Sequence, residues 1–394
     1  MNPKDFKKST SGKCIKTSAN YWAFVPHPLP PAIEYDKEMR ALLSDADRLI
    51  GELLGTGKAI SNPYLLITPY VQREAVSSSQ IEGTQTSMDD LLLFEATNEE
   101  SDPEVNIADI REVQNYVKAL QHGIKLLKKL PISTRFMTEV HEVLMKGVRG
   151  GHVTPGELRK SQNWIGTPGC TLNGAKYVPP PPHEMHECLS ALEKYIHSEP
   201  KEPVLIQCAY IHYQFESIHP FLDGNGRLGR LLIIFLLLER EVLTVPLLYL
   251  SAFFNKFRSE YYIRLFEVSR SGDWDAWIKY FLNGIITQAK SAIDDAHRIT
   301  KLHVTYLALV SESKKVPESA LKLVEEIFVN PIVSISVLSK KWNLPYNSVK
   351  NGVARLVKLG ILKEKKGQNK GRMRNRIYLA HRLLNILIDN RLNE

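Results

Sequence analysis

The sequence predicts a mainly α protein: a helical core, one small β-hairpin, and a C-terminal unit of the winged helix-turn-helix kind. Three observations carry that reading. Apolar residues recur at helical spacing over most of the chain before the tail, turn-forming dipeptides concentrate between Arg149 and Pro182, and the basic charge is confined to the C-terminal end. At 394 residues the chain exceeds one ordinary core, so two or three units are expected. We divide it into an N-terminal helical region (1–105), a helical core (106–292), and a linker helix with the winged-helix-like unit (293–394).

Residues 1–31 read as irregular and end in the proline-rich run Pro26 to Pro31. Helical spacing then predicts a helix over Ile33–Leu54 that stops at Gly51, Gly55 and Gly57, and a second over Tyr70–Glu82 that closes at Gly83. The acidic stretch 97–106 reads as a linker. Two helices fit Ile107–Gly147, broken near Pro131. Pro168-Gly169 and Asn173-Gly174 predict a hairpin over Trp164–Val178. Helices resume at His183–His197, Val204–Ile218, Arg227–Glu239, Ala252–Ser269 and Trp274–Ser291. In the tail, helices over Ser319–Val329, Ile335–Trp342 and Asn347–Leu359 precede a basic strand–turn–strand, Ile361–Tyr378, with Asn347–Leu359 in the recognition position.

Charge and cysteines exclude several classes. Residues 311–394 hold 17 Lys+Arg against 7 Asp+Glu, leaving 34 against 36 in the rest. A polyanionic partner is therefore suggested for the tail alone. No run approaches the roughly 20 apolar residues of a membrane span, and Met1–Lys13 is lysine-rich with no apolar stretch after it, so neither membrane nor secretory leader is expected. Cys14, Cys170, Cys188 and Cys208 match no metal or disulfide spacing; reduced thiols and a cytoplasmic location follow as expectations.

The segment that carries chemistry is His219-Pro220-Phe221-Leu222-Asp223-Gly224-Asn225-Gly226-Arg227-Leu228-Gly229-Arg230, between two apolar helices. Gly224, Asn225 and Gly226 let the chain turn straight into the next helix, whose first-turn N–H groups form an anion site. Arg227 and Arg230 share one face of that helix. There they oppose the macrodipole at about 0.3–1 kcal/mol each, a cost that a bound polyphosphate reverses. Asp223 is a candidate Mg²⁺ ligand, since Mg²⁺ takes one or two carboxylates beside phosphate oxygens. His219 is a candidate general base. With no serine or cysteine nucleophile in the set, direct in-line transfer to a hydroxyl is the chemistry suggested.

The segment resembles the signature of the Fic family, His-x-Phe-x-(Asp/Glu)-Gly-Asn-Gly-Arg-x-x-Arg, at every specified position. The resemblance, over about Pro26 to Ile286, implies a helical Fic-type core and AMP transfer from Mg·ATP, the co-substrate, to Ser, Thr or Tyr hydroxyls of proteins. It implies that His219 is the base, that Asp223 holds Mg²⁺, and that Asn225 with neighbouring N–H groups holds the α-phosphate. Arg227 and Arg230 would hold the β- and γ-phosphates, and Phe221 would anchor the loop. Upstream, Ser78, Glu82 and Gly83 resemble the family's inhibitory motif, (Ser/Thr)-x-x-x-Glu-(Gly/Asn); the implied mechanism is a Glu82–Arg230 pair that displaces the γ-phosphate. The hairpin resembles the family's flap, with Trp164–Ile165 or Lys176, Tyr177 and Val178 as the edge where an extended target docks. Tyr177 is also a candidate automodification site.

In the tail, Asn347, Lys350, Asn351 and Arg355 are candidate groove contacts, and Lys365, Lys366, Arg372 and Arg374 candidate phosphate contacts of a DNA-binding wing. A protein-contacting domain with solvated charges is the other reading. Two further functions stand as alternatives: transfer of a different phosphate-linked group, and a transcriptional regulator that senses ATP without turnover. No feature sets the oligomeric state, and a homodimer stays open.

Overall fold

The computed structural model describes residues 1–59, 64–97, 106–148, 154–167, 169–199, 201–312, 317–365 and 376–388. Within these, helices dominate. An N-terminal hairpin, β1 (Gly12–Lys16) and β2 (Trp22–Pro26), leads into α1 (Lys37–Ala59), α2 (Tyr64–Ile81), α3 (Met88–Thr97), α4 (Ile107–Leu126) and α5 (Thr134–Leu144). After the turn-rich stretch come α6 (Pro182–His197), α7 (Val204–Ile218), α8 (Asn225–Glu239), α9 (Ser251–Lys256), α10 (Arg258–Ser271) and α11 (Trp274–Ser311). The C-terminal part runs α12 (Glu318–Val329), β3 (Ile332–Ser334), α13 (Ile335–Trp342), α14 (Tyr346–Lys358), β4 (Lys363–Glu364), β5 (Ile377–Leu379) and α15 (His381–Ile388), with an antiparallel sheet ordered β3-β5-β4.

α7 and α8 form the centre because they are apolar on nearly every face, and a helix of that kind is stable only when surrounded. α4 and α5 pack on one side of α8, α11 on α7, and the end of α2 reaches the start of α8. This arrangement brings α2, α4 and the α7–α8 loop together at one end of the core.

Several elements differ from the sequence reading. Residues 12–26 form a strand pair, and Phe24 N–H donates to the Val178 carbonyl at 2.8 Å, so the hairpin region is backed by a neighbour far away in sequence. α1 passes through all three glycines, because α11 packs along it and Gly51 and Gly55 face open space where a missing Cβ costs no contact. α2 begins at Tyr64, a turn and a half earlier than expected, and carries Pro69. The helix expected over Ala252–Ser269 is two, broken at Phe257. α11 continues twenty residues past Ser291, through the proposed 292/293 boundary, burying Ile293, Ala296, Ile299, Tyr306 and Val310. The C-terminal part is not detached: Asn330 Nδ2 donates to the Leu92 carbonyl of α3 at 3.1 Å, and α12 packs on α2.

Candidate functional site

α7 ends by a residue type that seldom ends helices. His219 takes left-handed backbone angles, φ 51° and ψ 59°, and the chain turns through 219–224 before Gly224, at φ 76°, starts α8. A Cβ on Gly224 would lie 2.6 Å from Met145 Sδ, so glycine is required there for space as well as for angle.

The loop is held from within and from behind. Asn225 is 1% exposed, and its amide closes on one residue: Oδ1 accepts the Phe221 N–H and Nδ2 donates to the Phe221 carbonyl, both at 2.9 Å. Asn225 is thus a clamp on the loop, with the second Nδ2 hydrogen not used in that clamp. Phe221 is buried and stacks on His141 with ring centroids 3.8 Å apart. His141 Nδ1 accepts the Gly156 N–H at 3.0 Å, so Nε2 carries the proton that reaches the Asp223 carbonyl at 3.0 Å. Burial pushes the His141 pKa down to about 4, keeping the ring neutral. Behind His219, the buried Arg159 donates through Nε to the His219 carbonyl at 2.9 Å and through Nη2 to the Pro180 carbonyl. Asn163 Nδ2 donates to the carbonyls of His219 and Phe221 at 3.2 and 2.8 Å.

The His219 ring is neutral and oriented. Nδ1 lies 3.2 Å from the Glu216 carbonyl, which only accepts, so Nδ1 carries the proton and Nε2 keeps a lone pair. Burial pushes the pKa down to about 4. Glu216 is itself pushed up to about 8 by burial, offset in part by Arg230, and is uncharged at neutral pH.

The two arginines are both buried and both paired. Arg230, 2% exposed, gives Nε to Ser78 Oγ at 2.8 Å and Nη2 to the Ser78 carbonyl at 2.9 Å and Glu82 Oε1 at 2.6 Å. Burial alone would raise the Glu82 pKa, but the Arg230 charge and hydrogen bond outweigh it and hold the carboxyl below its usual range. Ser78 is fully buried, α2 ends at Ile81, and Gly83 has φ 105°, as the expected closure requires. The Glu82 carboxylate lies so close to the first turn of α8 that a Cβ on Gly226 would sit 2.3 Å from Oε1. A carboxylate therefore occupies the helix end where an anion binds. Arg227 pairs instead with Glu112 Oε2 of α4 at 3.0 Å.

Asp223 is half-exposed and accepts the Gly224 N–H at 2.6 Å. Among the described residues no group of three or more His, Cys, Asp or Glu could cage a metal. One exposed carboxylate beside an anion site suits a cation that arrives with its phosphates and brings most of its own ligands.

Of the hairpin expected over Trp164–Val178, the described residues form a single antiparallel bridge and a 3-10 turn at Leu172–Gly174, not two strands: Ile165 N–H donates to the Tyr177 carbonyl at 2.8 Å, and Lys176 and Tyr177 N–H both donate to the Ile165 carbonyl at 3.0 Å. Its two edges differ. Val178 O already accepts from Phe24, and Tyr177 is buried with its hydroxyl 2.6 Å from Ser217 Oγ, so Tyr177 and Val178 offer no open edge and Tyr177 no accessible hydroxyl. Lys176 is exposed with Nζ 4.6 Å over the Phe266 ring. Ile165 is 40% exposed in its side chain, but its N–H and carbonyl are both taken by the bridge to Tyr177, so of the predicted edge residues only Trp164, 42% exposed, has its backbone outside it. In α14, Asn347, Lys350 and Asn351 are exposed on one face and Arg355 is half-buried; Lys365 is exposed. Lys366, Arg372 and Arg374 lie outside the described residues. Arg159, Asn163, His141 and Glu112 were missed by the sequence reading, because nothing local marks a residue that acts on a loop 56 to 115 positions away.

Residues 40–125 match the model described as Fic/DOC family N-terminal, and residues 131–237 the Fic/DOC family model. A probable protein adenylyltransferase of Aquifex aeolicus is 27% identical over 180 residues, 44% of this chain and 50% of that relative. The protein adenylyltransferase Fic of Drosophila persimilis is 29% identical over 162 residues, 39% of this chain and 27% of its own length. The chain thus spans half or less of these relatives. Among solved structures, a Fic family protein from Desulfovibrio desulfuricans G20 superimposes with a TM-score of 0.58 at 17% identity, over 89% of this chain and 98% of that one. Fic-1 from C. elegans gives 0.51 at 21% identity, over 65% and 72%. At such identities the likeness is one of fold. No helix among the described residues is long and apolar enough to cross a membrane.

Proposed function

We propose, from the premise that this chain belongs to the Fic/DOC family through residues 40–125 and 131–237, that it is a protein adenylyltransferase held in a self-inhibited state by Glu82. The observation that carries the reading is the neutral His219, its proton fixed on Nδ1 and its Nε2 lone pair free, at the rim of a helix N-terminus flanked by two buried arginines. In the proposed reaction His219 Nε2 accepts the proton of a target hydroxyl as its oxygen attacks the α-phosphorus of ATP. The bond to the β-phosphate oxygen breaks, and pyrophosphate leaves. The base is neutral at physiological pH, as removal of a proton requires. Asp223 would hold Mg²⁺, which supplies positive charge to the phosphates. Trp164, next to the Ile165–Tyr177 bridge, would give an extended target its backbone partner. In the self-inhibited state Glu82 takes the Arg230 donors that the γ-phosphate would use, and displaces the nucleotide from its in-line pose.

The division proposed for these roles puts the inhibitory helix in 1–105, the chemistry in 106–292 and a winged-helix-like unit in 293–394. The order α12, β3, α13, α14, β4, β5 supports the last, and the exposed Asn347, Lys350 and Asn351 suit a groove of DNA.

The test compares label transfer from α-³²P-ATP and γ-³²P-ATP by wild type, Glu82→Gly and Glu82→Gly/His219→Ala. Labelled protein from the α position alone, abolished by His219→Ala with ATP binding retained, is expected. Labelling from the γ position would mean phosphoryl transfer, and binding without any transfer would favour an ATP sensor.

A further inference from the structure

Two buried arginines near the loop are satisfied in different ways. Arg159 gives Nε to the His219 carbonyl, Nη1 to the Ser161 carbonyl and Nη2 to the Pro180 carbonyl, so its whole fork ends on backbone and it acts as a strut. Arg227, only 3% exposed, gives Nη1 to Glu112 Oε2 at 3.0 Å and little else. Its Nη2 reaches Met145 Sδ at 3.5 Å and Asp223 Oδ1 at 3.8 Å, and its buried Nε has no partner. A buried donor left unpaired is costly, so this edge points to an acceptor that arrives with a ligand. Nε and Nη2 together make the edge by which a guanidinium binds two oxyanion oxygens at once. The edge lies in the first turn of α8, beside the amides that favour an anion.

Glu112 decides which edge is left over. It comes from α4, outside the loop, and takes Nη1 alone. At Arg230 the opposite holds: Ser78 and Glu82 take Nε and Nη2, the edge a phosphate needs. One arginine is blocked on that edge by oxygen acceptors; the other is anchored with Nε unpartnered and Nη2 held only by the weak acceptor Met145 Sδ and the more distant Asp223.

We propose that Glu112 is a positioning residue of the phosphate subsite: it anchors Arg227 through Nη1 and presents the free Nε–Nη2 edge to the β- and γ-phosphates of a bound nucleotide. The ligand class rests on the adenylyltransferase reading above. Glu112 touches no reacting atom and acts through Arg227. Substrate affinity for the outer phosphates, rather than affinity for the nucleoside, is what it controls.

The test uses full-length Glu82→Gly protein, so that the Arg230 contact is not limiting, with Glu112→Ala and Glu112→Gln added. Equilibrium binding of AMP, ADP and a non-hydrolysable ATP analogue is measured with Mg²⁺, beside KM and kcat for transfer from α-labelled ATP. Glu112→Ala is expected to weaken ADP and the triphosphate analogue about tenfold and AMP by less than about twofold, with KM for ATP rising in step. Glu112→Gln keeps an acceptor for Nη1 and should lose less, with the same preference for the longer phosphate chain. Equal losses for AMP and the triphosphate analogue would mean a merely structural role and overturn the proposal, as would unchanged binding; the glutamine variant decides where the alanine variant does not fold. Glu82→Gly protein that shows this Glu112 dependence in binding yet transfers no label refutes adenylyl transfer and leaves the Glu112 assignment standing.

Discussion

Replacing Glu82 by glycine removes one carboxylate from a guanidinium that is 2% exposed, and the structure sets the size of the effect. Breaking a fully buried ion pair from one side costs about 3–5 kcal/mol. Here Ser78 still offers Arg230 two acceptors, and Glu82 is a third exposed, so solvent screens the pair. A single charge-assisted hydrogen bond, about 1.5–3 kcal/mol, is the better measure. The same energy opposes the γ-phosphate in wild type, so its removal should raise the rate of transfer about 10- to 150-fold. The assay is initial-rate labelling from α-³²P-ATP, paired with thermal melts with and without nucleotide. Glu82→Gly should melt earlier than wild type without ligand and gain more from Mg·ATP. Glu82→Gln, which keeps the volume and loses the charge, should fall between. A folded Glu82→Gly protein that transfers AMP no faster than wild type refutes the reasoning.

Asn225→Ala should cost about 2–3 kcal/mol, because two buried hydrogen bonds to Phe221 are lost, and should abolish most transfer through loss of loop geometry; melts and label transfer check it. Stability should fall with acid. His141 and His212 have folded pKa values depressed to about 4 and about 3 by burial, so their contribution is complete above pH 6.5 and is lost as pH falls toward those values. Each proton excluded from the folded state costs about 1.4 kcal/mol per pH unit, and a melting midpoint independent of pH from 6.5 to 4.5 would contradict this. The acid limb of transfer by Glu82→Gly protein should lie well below pH 6.5, since burial holds His219 at about 4. Tyr177→Phe should lower the melting temperature through loss of the Ser217 contact and leave self-labelling unchanged, because the hydroxyl is buried.

The sequence could be read where local signals decide. α7 begins and ends where apolar spacing puts it, and α13 matches residue for residue. Ser78 in α2 and Glu82, the residue just past its end, meet the arginine that the motif designates. It could not be read where distant contacts decide. β1 and β2 are short and owe their place to Val178, which accepts the Phe24 N–H, and to Tyr177, which joins Phe6 and Phe24 in one cluster, both more than 150 positions away in sequence. Asn225 belongs to the motif, yet nothing in the motif shows that its amide both accepts from and donates to the Phe221 backbone. The continuation of α11 was legible, since Ile293, Ala296 and Ile299 keep helical spacing, but the acidic and basic residues among them hid it.

α11 is 38 residues in one piece, about 57 Å, and its apolar stripe is shared. It lies against α1, α7 and α9, and its later part receives α12, where His303 and Tyr306 meet Phe328 and His303 Nε2 contacts Glu325 at 2.8 Å. A fragment cut near residue 292 would keep half a helix on each side and strip the N-terminal neighbours from the buried Ile293, Ala296 and Ile299. The two ends of the chain should therefore melt together, in one cooperative transition. A beam that runs through both halves of a building cannot be removed with either.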